Sequence, residues 1–118
     1  MAPARRSGAP DPALRLLGLA ARAGGVVPGT ARVREAARAG AVRFVVVAAD
    51  ASSNTKEKLM PLLRARRIRH AVAFDRDALG MAVGRAPLGA VGITSGRLAD
   101  RLAEMISGGQ EGADTTVG

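Results

Sequence analysis

The sequence predicts an α/β protein, a three-layer α-β-α sandwich in a single domain with about four strands and five helices. Three observations predict it. Short Val-rich runs alternate along the chain with stretches at helical spacing. The length, 118 residues, is that of one domain; a chain of this size buries roughly two thirds of its unfolded surface, enough for one core without staples. The composition is 47% hydrophobic with two Phe and no Trp or Tyr, so that core is built from Val, Leu, Ile and Ala.

The elements follow in order. Met1 to Asp11 is rich in Pro, Ala and Gly and reads as a flexible arm. In "DPALRLLGLAARAG", Asp11 is an N-cap, Pro12 takes the first helical position and Gly24 is the stop. "GVV" (Gly25 to Val27) is a short strand. "PGTARVREAARAG" is the second helix, opened by a turn in which Pro28 fixes φ, Gly29 permits close backbone approach and Thr30 can cap. Its apolar face carries Val33, Ala36, Ala37 and Gly40; Ala31, Arg34, Glu35 and Arg38 lie opposite.

"VRFVVVAAD" (Val42 to Asp50) is a continuous β-branched run, the mark of a strand buried on both faces. "SSNTKEKLMPLLRARR" starts on cap-type residues and continues at helical spacing, with Pro61 as a kink or an early-turn residue. "RHAVAFD" is the next strand, "DRDALGMAVGR" a short helix from Asp75 or Asp77, "LGAVGIT" the last strand, and "SGRLADRLAEMI" the closing helix on a Ser or Thr cap. The ordered domain spans 12–107, and "GGQEGADTTVG" (Gly108 to Gly118) reads as a disordered tail.

Charge is the strongest bulk signal. The net charge is +8, with 18 Lys and Arg against 10 Asp and Glu. Arg5, Arg6 and Asp11 leave the arm +1, and Glu111 and Asp114 make the tail −2, so the middle of the chain carries +9 and the two ends together −1. Positive charge in the folded part attracts polyanions, nucleic acid foremost. The preference for Arg over Lys also fits a GC-rich genome.

Several function classes have no support. No cysteine is present, which removes disulfides, thiolate nucleophiles and Cys-ligated zinc. His70 is the one histidine, so no multi-His metal site exists and a structural role is expected for it. Asp50, Glu57, Asp75 and Asp77 have no metal-like spacing, and Ser52, Ser53 and Ser95 have no His/Asp relay. No catalytic residue, cofactor or metal is expected. No apolar run approaches the ~20 residues of a membrane span, and the N-terminus lacks a signal-peptide h-region. A soluble, cytoplasmic protein is the expectation.

The glycines from Gly24 to Gly29 match the opening of a phosphate-binding loop, but the Lys and hydroxyl that such a loop needs for phosphates and magnesium do not follow. "SGR" (Ser95 to Arg97) suits a simple cap better than an anion site. The turn at Gly29 presents the free amides of helix two to a phosphate or a base edge, beside Arg32, Arg34 and Arg38. The plain alternative is a solvated face with Glu35 paired to Arg32 and Arg38. "RARRIR" (Arg64 to Arg69) is the densest basic stretch and fits a helix C-terminus, where the dipole favours cations.

The blocks "LGLAARAG", the Gly29 that opens helix two, "VRFVVVAADASSNTK" and "LGAVG" together resemble the kink-turn-binding ribosomal protein superfamily of the L-seven-Ae and L-thirty-e type, and are most similar to its bacterial YlxQ-like branch. The resemblance covers about Leu14 to Ile106. It implies the same three-layer sandwich with an RNA site at one end. In that family the start of helix two reads tandem sheared G·A pairs in a kinked internal loop, and the loop before the last strand covers a flipped-out nucleotide. By position the first part is Gly29, Thr30, Ala31, Arg32 and Glu35, with Asp50 nearby, and the loop is Arg85, Ala86, Pro87, Leu88 and Gly89; apart from the resemblance, the chemistry of Arg32 and Arg34 suits guanine O6/N7 edges or phosphates in a variant mode.

Three positions depart from the archaeal-type signature of Asn, Glu and Lys. Ala31 cannot make the asparagine's hydrogen bonds, Arg32 donates where the glutamate accepts, and Glu35 is negative where a phosphate-contacting lysine is expected. Each lost base contact is worth roughly 1–3 kcal/mol. The expected function is a non-enzymatic, monomeric, ribosome-associated protein that binds structured RNA. Phe44 and Phe74 both fall in the predicted buried strands, so no stacking platform for single strands is expected. The alternative, favoured by Ala31 and Glu35, is a protein-interaction or assembly module on the same fold without specific RNA recognition.

Overall fold

The computed structural model describes residues 11–109; of the expected arm (1–11) and tail (108–118), residues 1–10 and 110–118 lie outside these residues. Five helices alternate with four strands: α1 (Pro12–Arg22), β1 (Val26–Pro28), α2 (Thr30–Arg38), β2 (Phe44–Val47), α3 (Ser53–Ala65), β3 (Arg69–Val72), α4 (Arg76–Ala82), β4 (Ala90–Ile93) and α5 (Gly96–Gly109). The sheet order is β1-β4-β2-β3. β1 and β2 both pair antiparallel with β4, and β3 pairs parallel with β2.

The expected caps hold where side chains supply them. Asp11 accepts from the Ala13 amide, Ser52 from Thr55, Asp75 from Ala78 and Ser95 from Leu98. β2 is buried at all four positions and sits in the middle of the sheet, as its unbroken Val run requires. Pro28 has no amide for a ladder and lies on the edge strand β1.

α1 packs on α4 and α5 on one side of the sheet, and α2 packs on α3 on the other. Strand pleating divides the core. Val27, Gly92 and Val45 are cross-strand partners on the α2 face, because a Cβ on Gly92 would meet Val33 of α2. Phe44 and Ile93 pair one residue on and face α5. Leu17, Val33, Leu59, Leu63, Leu79 and Leu102 fill both layers at 0% exposure.

Three local expectations change. Pro61 is exposed in the interior of α3, past the first turns, so the early-turn placement does not hold. Phe74 falls two residues past the end of β3 with φ +63° and packs partly buried against the core. α5 continues to Gly109, two residues beyond the expected boundary. Pro61→Ala is expected to stabilise the protein by about 2 kcal/mol: an interior proline costs about 3 kcal/mol, less about 0.4–1 for the freer unfolded chain. Urea unfolding measures this, and an unchanged midpoint would show that α3 accommodates the proline without loss.

Candidate nucleic-acid interface

The C-terminal end of β2 gathers four segments. The Gly29 amide donates to the Ala90 carbonyl at 2.9 Å, and the Ala48 amide donates to the Gly89 carbonyl at 2.9 Å. These bonds fix the start of α2 and the turn after β2 against the loop before β4. Gly89 lies at their meeting point: a Cβ there would meet Thr30 Oγ1 at 3.1 Å, Thr55 Cγ2 at 3.5 Å and the Ala51 Cβ at 3.8 Å. One pole of the sheet therefore holds the first turn of α2, the first turn of α3, the 48–51 turn and the 85–89 loop.

α2 begins differently from the other helices. Its N-cap is Gly29, at φ 101° and ψ 146°, with no side-chain cap. Thr30 is thus the first helical residue and not the cap, and its hydroxyl side lies against Gly89. The first intrahelical bond runs from the Val33 amide to the Gly29 carbonyl. The amides of Thr30, Ala31 and Arg32 precede it and have no intrahelical acceptor.

Ala31, Arg32, Glu35 and Arg38 are exposed on α2. The Glu35 pairs with Arg32 and Arg38 that the alternative of a solvated face called for are not formed: the ion pairs among the described residues are Arg69 with Asp100 and Arg76 with Asp50. Arg34 is half-buried, and its Nε is buried with no acceptor among the described residues, so it does not lie on a purely solvated face.

The 85–89 loop is seated by backbone. Arg85 donates its amide to the Gly80 carbonyl at 2.8 Å, and Leu88 donates to the Arg76 carbonyl at 3.1 Å. Arg85, Ala86 and Pro87 are exposed, while Leu88 packs against the core. The seat is Gly80 on α4, where a Cβ would fall 2.3 Å from the Ala86 oxygen and 2.8 Å from the Arg85 oxygen. Sequence reasoning missed Gly80, since its spacing marks it only as a helical position.

Asp50 is at this pole, but its carboxylate is engaged. Oδ1 accepts the Arg76 amide at 2.9 Å, and Oδ2 lies 3.5 Å from Arg76 Nε. The Arg76 amide bond, aided by its guanidinium charge, holds the Asp50 carboxyl below its ordinary 3.8. The folded value is depressed, so the contact contributes fully above the unfolded carboxylate pKa and is lost as pH falls through the lower folded value. A carboxyl titration by NMR should place Asp50 below the usual Asp range, with Arg76→Ala returning it upward. Asp50 therefore ties the β2–α3 turn to α4, helped by Lys56 Nζ donating to the Ala49 carbonyl at 3.0 Å.

Other chemistry is not assembled. His70 Nδ1 lies 2.8 Å from the Ile68 carbonyl and donates to it. Among the described residues no group of three or more His, Cys, Asp or Glu is placed to hold a metal ion. No described helix is long and apolar enough to cross a membrane.

A family model for the ribosomal protein L7Ae/L30e/S12e/Gadd45 family matches residues 12–102. The chain belongs to this family. Among solved structures, it is 33% identical to a protein of unknown function from Bacillus halodurans C, covering 83% of this chain and 99% of that one at a TM-score of 0.80. It also shares its fold with a 15.5kD RNA binding protein of Giardia lamblia, at 19% identity and a TM-score of 0.72, covering 87% of this chain and 85% of that one. No protein with a curated description matches the sequence. Within the L7Ae/L30e/S12e/Gadd45 framework, one pole of this chain sets the uncapped first turn of α2 beside the exposed Arg85, Ala86 and Pro87.

Proposed function

We propose that this L7Ae-family chain is a non-enzymatic, cytoplasmic, ribosome-associated protein that binds a bent, kink-turn-like RNA through the start of α2 and the 85–89 loop. The observation that carries the reading is the uncapped first turn of α2, fixed by Gly29 and Gly89 beside that exposed loop. Three amides at the positive end of a helix dipole can donate to phosphate or base-edge oxygens. The apolar Ala86, Pro87 and Leu88 suit an unstacked base. The excess of basic over acidic residues supplies salt-sensitive attraction. The RNA-binding protein of Giardia that shares the fold supports this reading.

Arg32 puts a donor where the family signature has an acceptor, while Ala31 removes a hydrogen-bonding side chain and Glu35 replaces a cation with an acceptor. Arg32, exposed, and the half-buried Arg34 beside it are the groups to contact guanine O6/N7 edges or phosphates. Arg32→Ala combined with Arg34→Ala is expected to weaken RNA binding roughly tenfold or more; parental affinity would remove both from the interface. The reading as a whole is tested by titrating a kink-turn RNA and the same RNA with its G·A pairs replaced, at two salt concentrations. Tight binding that collapses on replacement is the expected result. Equal binding to both removes the kink-turn specificity.

A second reading, an assembly module, is favoured by a groove of about 590 Å³ between α1 and α4. Leu19 and Met81 are 56% and 78% exposed there, and Arg15 and Arg22 line it too. Its chemistry fits an apolar helix with acidic flanks. Leu19→Ser with Met81→Ser would then abolish partner binding and leave RNA affinity unchanged.

A further inference from the structure

The opposite pole of the sheet carries a second concentration of positive charge. β2 and β3 run parallel with Phe44 opposite Arg69, so the residues that lead into both strands emerge together. There Arg43, Arg66, Arg67 and Arg69 line a cleft of about 360 Å³ with Ala37, Gly40, Val42 and Ile68. The arginines come from the approach to β2, the end of α3 and the start of β3. The 85–89 loop and the start of α2 lie at the other ends of the same strands.

The charge is unevenly spent. Arg69 is committed: its Nη2 lies 2.7 Å from Asp100 Oδ1, and its guanidinium sits 5.9 Å over the Phe44 ring. Arg43, Arg66 and Arg67 are exposed and form no ion pair with a described residue. A helix dipole alone accounts for one cation near the end of α3, and Arg64 already occupies its last turn.

Arg67 stands out by comparison within the chain. α1, α2 and α4 each end with a residue of positive φ just past the C-cap, and each time it is glycine: Gly24 at 78°, Gly40 at 73° and Gly84 at 74°. α3 ends in the same way. The Arg67 amide donates to the Arg64 carbonyl at 3.0 Å and the Ile68 amide to the Leu63 carbonyl at 2.9 Å, the two bonds of a Schellman motif. Yet the residue at φ 55° is Arg67. A side chain there is held against its backbone preference. The chain keeps a guanidinium at a position where its own other helices use glycine.

We propose that Arg43, Arg66 and Arg67 form a second RNA contact, one that grips the sugar-phosphate backbone and reads no sequence. The chain would thus hold RNA at both poles of its sheet. The cleft is open and its arginines are exposed, so a single small anion would be screened and weakly held. A polyanion gains instead at each contact by releasing counterions, and guanidinium forks match phosphate oxygens. This inference rests on the RNA-binding reading above, but its signature differs from that of the α2 pole.

The test compares the parent with an Arg43→Gln, Arg66→Gln, Arg67→Gly variant. Fluorescence anisotropy is measured on the kink-turn RNA and on its G·A-replaced partner across a salt series. The expected result is an equal loss of affinity for both RNAs, roughly tenfold or more at low salt, and a salt-dependence slope reduced by about 2–3. The ratio between the two RNAs stays as in the parent. An unchanged slope and affinity overturns the proposal. A parent that binds both RNAs equally defeats the kink-turn reading, while a lowered slope in the variant still upholds the cleft.

Arg67→Gly alone guards against a folding artefact. It is expected to raise Tm by roughly 4–8 °C while lowering RNA affinity. A higher Tm with parental affinity makes Arg67 only a helix terminator and removes it from the site. Titration with inorganic phosphate, read on the arginine Nε–H resonances, separates the sources. Saturation by phosphate alone, with RNA binding unaffected by the triple variant, would make the cleft a small-anion site and overturn the RNA contact.

Discussion

Replacing Gly80 by alanine is expected to destabilise the protein by about 3 kcal/mol and to weaken RNA binding with it. Two effects oppose each other at this position. Gly80 sits inside α4, where glycine costs about 0.5–1 kcal/mol relative to alanine, so helix propensity alone predicts stabilisation. The new Cβ, however, would stand 2.3 Å from the Ala86 carbonyl oxygen, 2.7 Å from its carbon and 2.8 Å from the Arg85 oxygen. All three are backbone atoms and cannot swing aside as a side chain would. Either α4 or the 85–89 loop must move, and the Arg85 amide bond to Gly80 is strained with it. The sign of the stability change by urea unfolding decides between the two effects. The amide shifts of residues 85–89 then report whether the loop has left its seat. A stabilised variant with an unmoved loop would refute the close approach.

The second large effect is expected at Gly29. Its φ of 101° and ψ of 146° are in a region open essentially to glycine, yet nothing lies within 4 Å of where a Cβ would be. Gly29→Ala therefore tests backbone strain without steric clash. A loss of about 2 kcal/mol is expected, with the first turn of α2 re-aimed and kink-turn affinity reduced at least tenfold in the folded protein. A d-alanine introduced at the same position by chemical ligation accepts positive φ and should restore both properties. If the L and d variants behave alike, the geometry at Gly29 is not what positions α2.

Much of this fold is legible in the sequence because its signals are local. Asp11-Pro12, Ser52 and Asp75 supply their own helix starts, and Val45 to Val47 can only be a strand with both faces covered. Gly24 and Gly40 stop helices because each takes a positive φ. Where local signals compete, the tertiary structure decides. Pro61 opposes the helix that surrounds it, but Leu59 and Leu63 on either side are fully buried, and their packing holds α3 through it. Thr30 has the chemistry of a cap, yet the amide bond from Gly29 to Ala90 on β4 draws the chain so that the glycine takes that place.

The candidate site divides in the same way. Its residues could be named from the sequence, because Gly29 to Glu35 and Arg85 to Gly89 stand in recognisable blocks. Their assembly could not. Thr30, Ala51, Thr55 and Gly89 meet only because β4 lies between β1 and β2 and delivers the loop between two helix starts. Asp50 was legible as a residue near the site, and only the fold commits its carboxylate to Arg76.

By itself, then, the sequence determined the fold class, the order of elements, the aliphatic core and the basic character of the folded part. Each of these follows from periodicity, caps and composition, which act over a few residues or over the whole chain at once. Only the tertiary structure decided that Gly80 seats the 85–89 loop, and that "RARRIR" turns three of its arginines into a cleft with Arg43. Those facts depend on distances between residues far apart in the chain, which sheet pairing sets and no local pattern records.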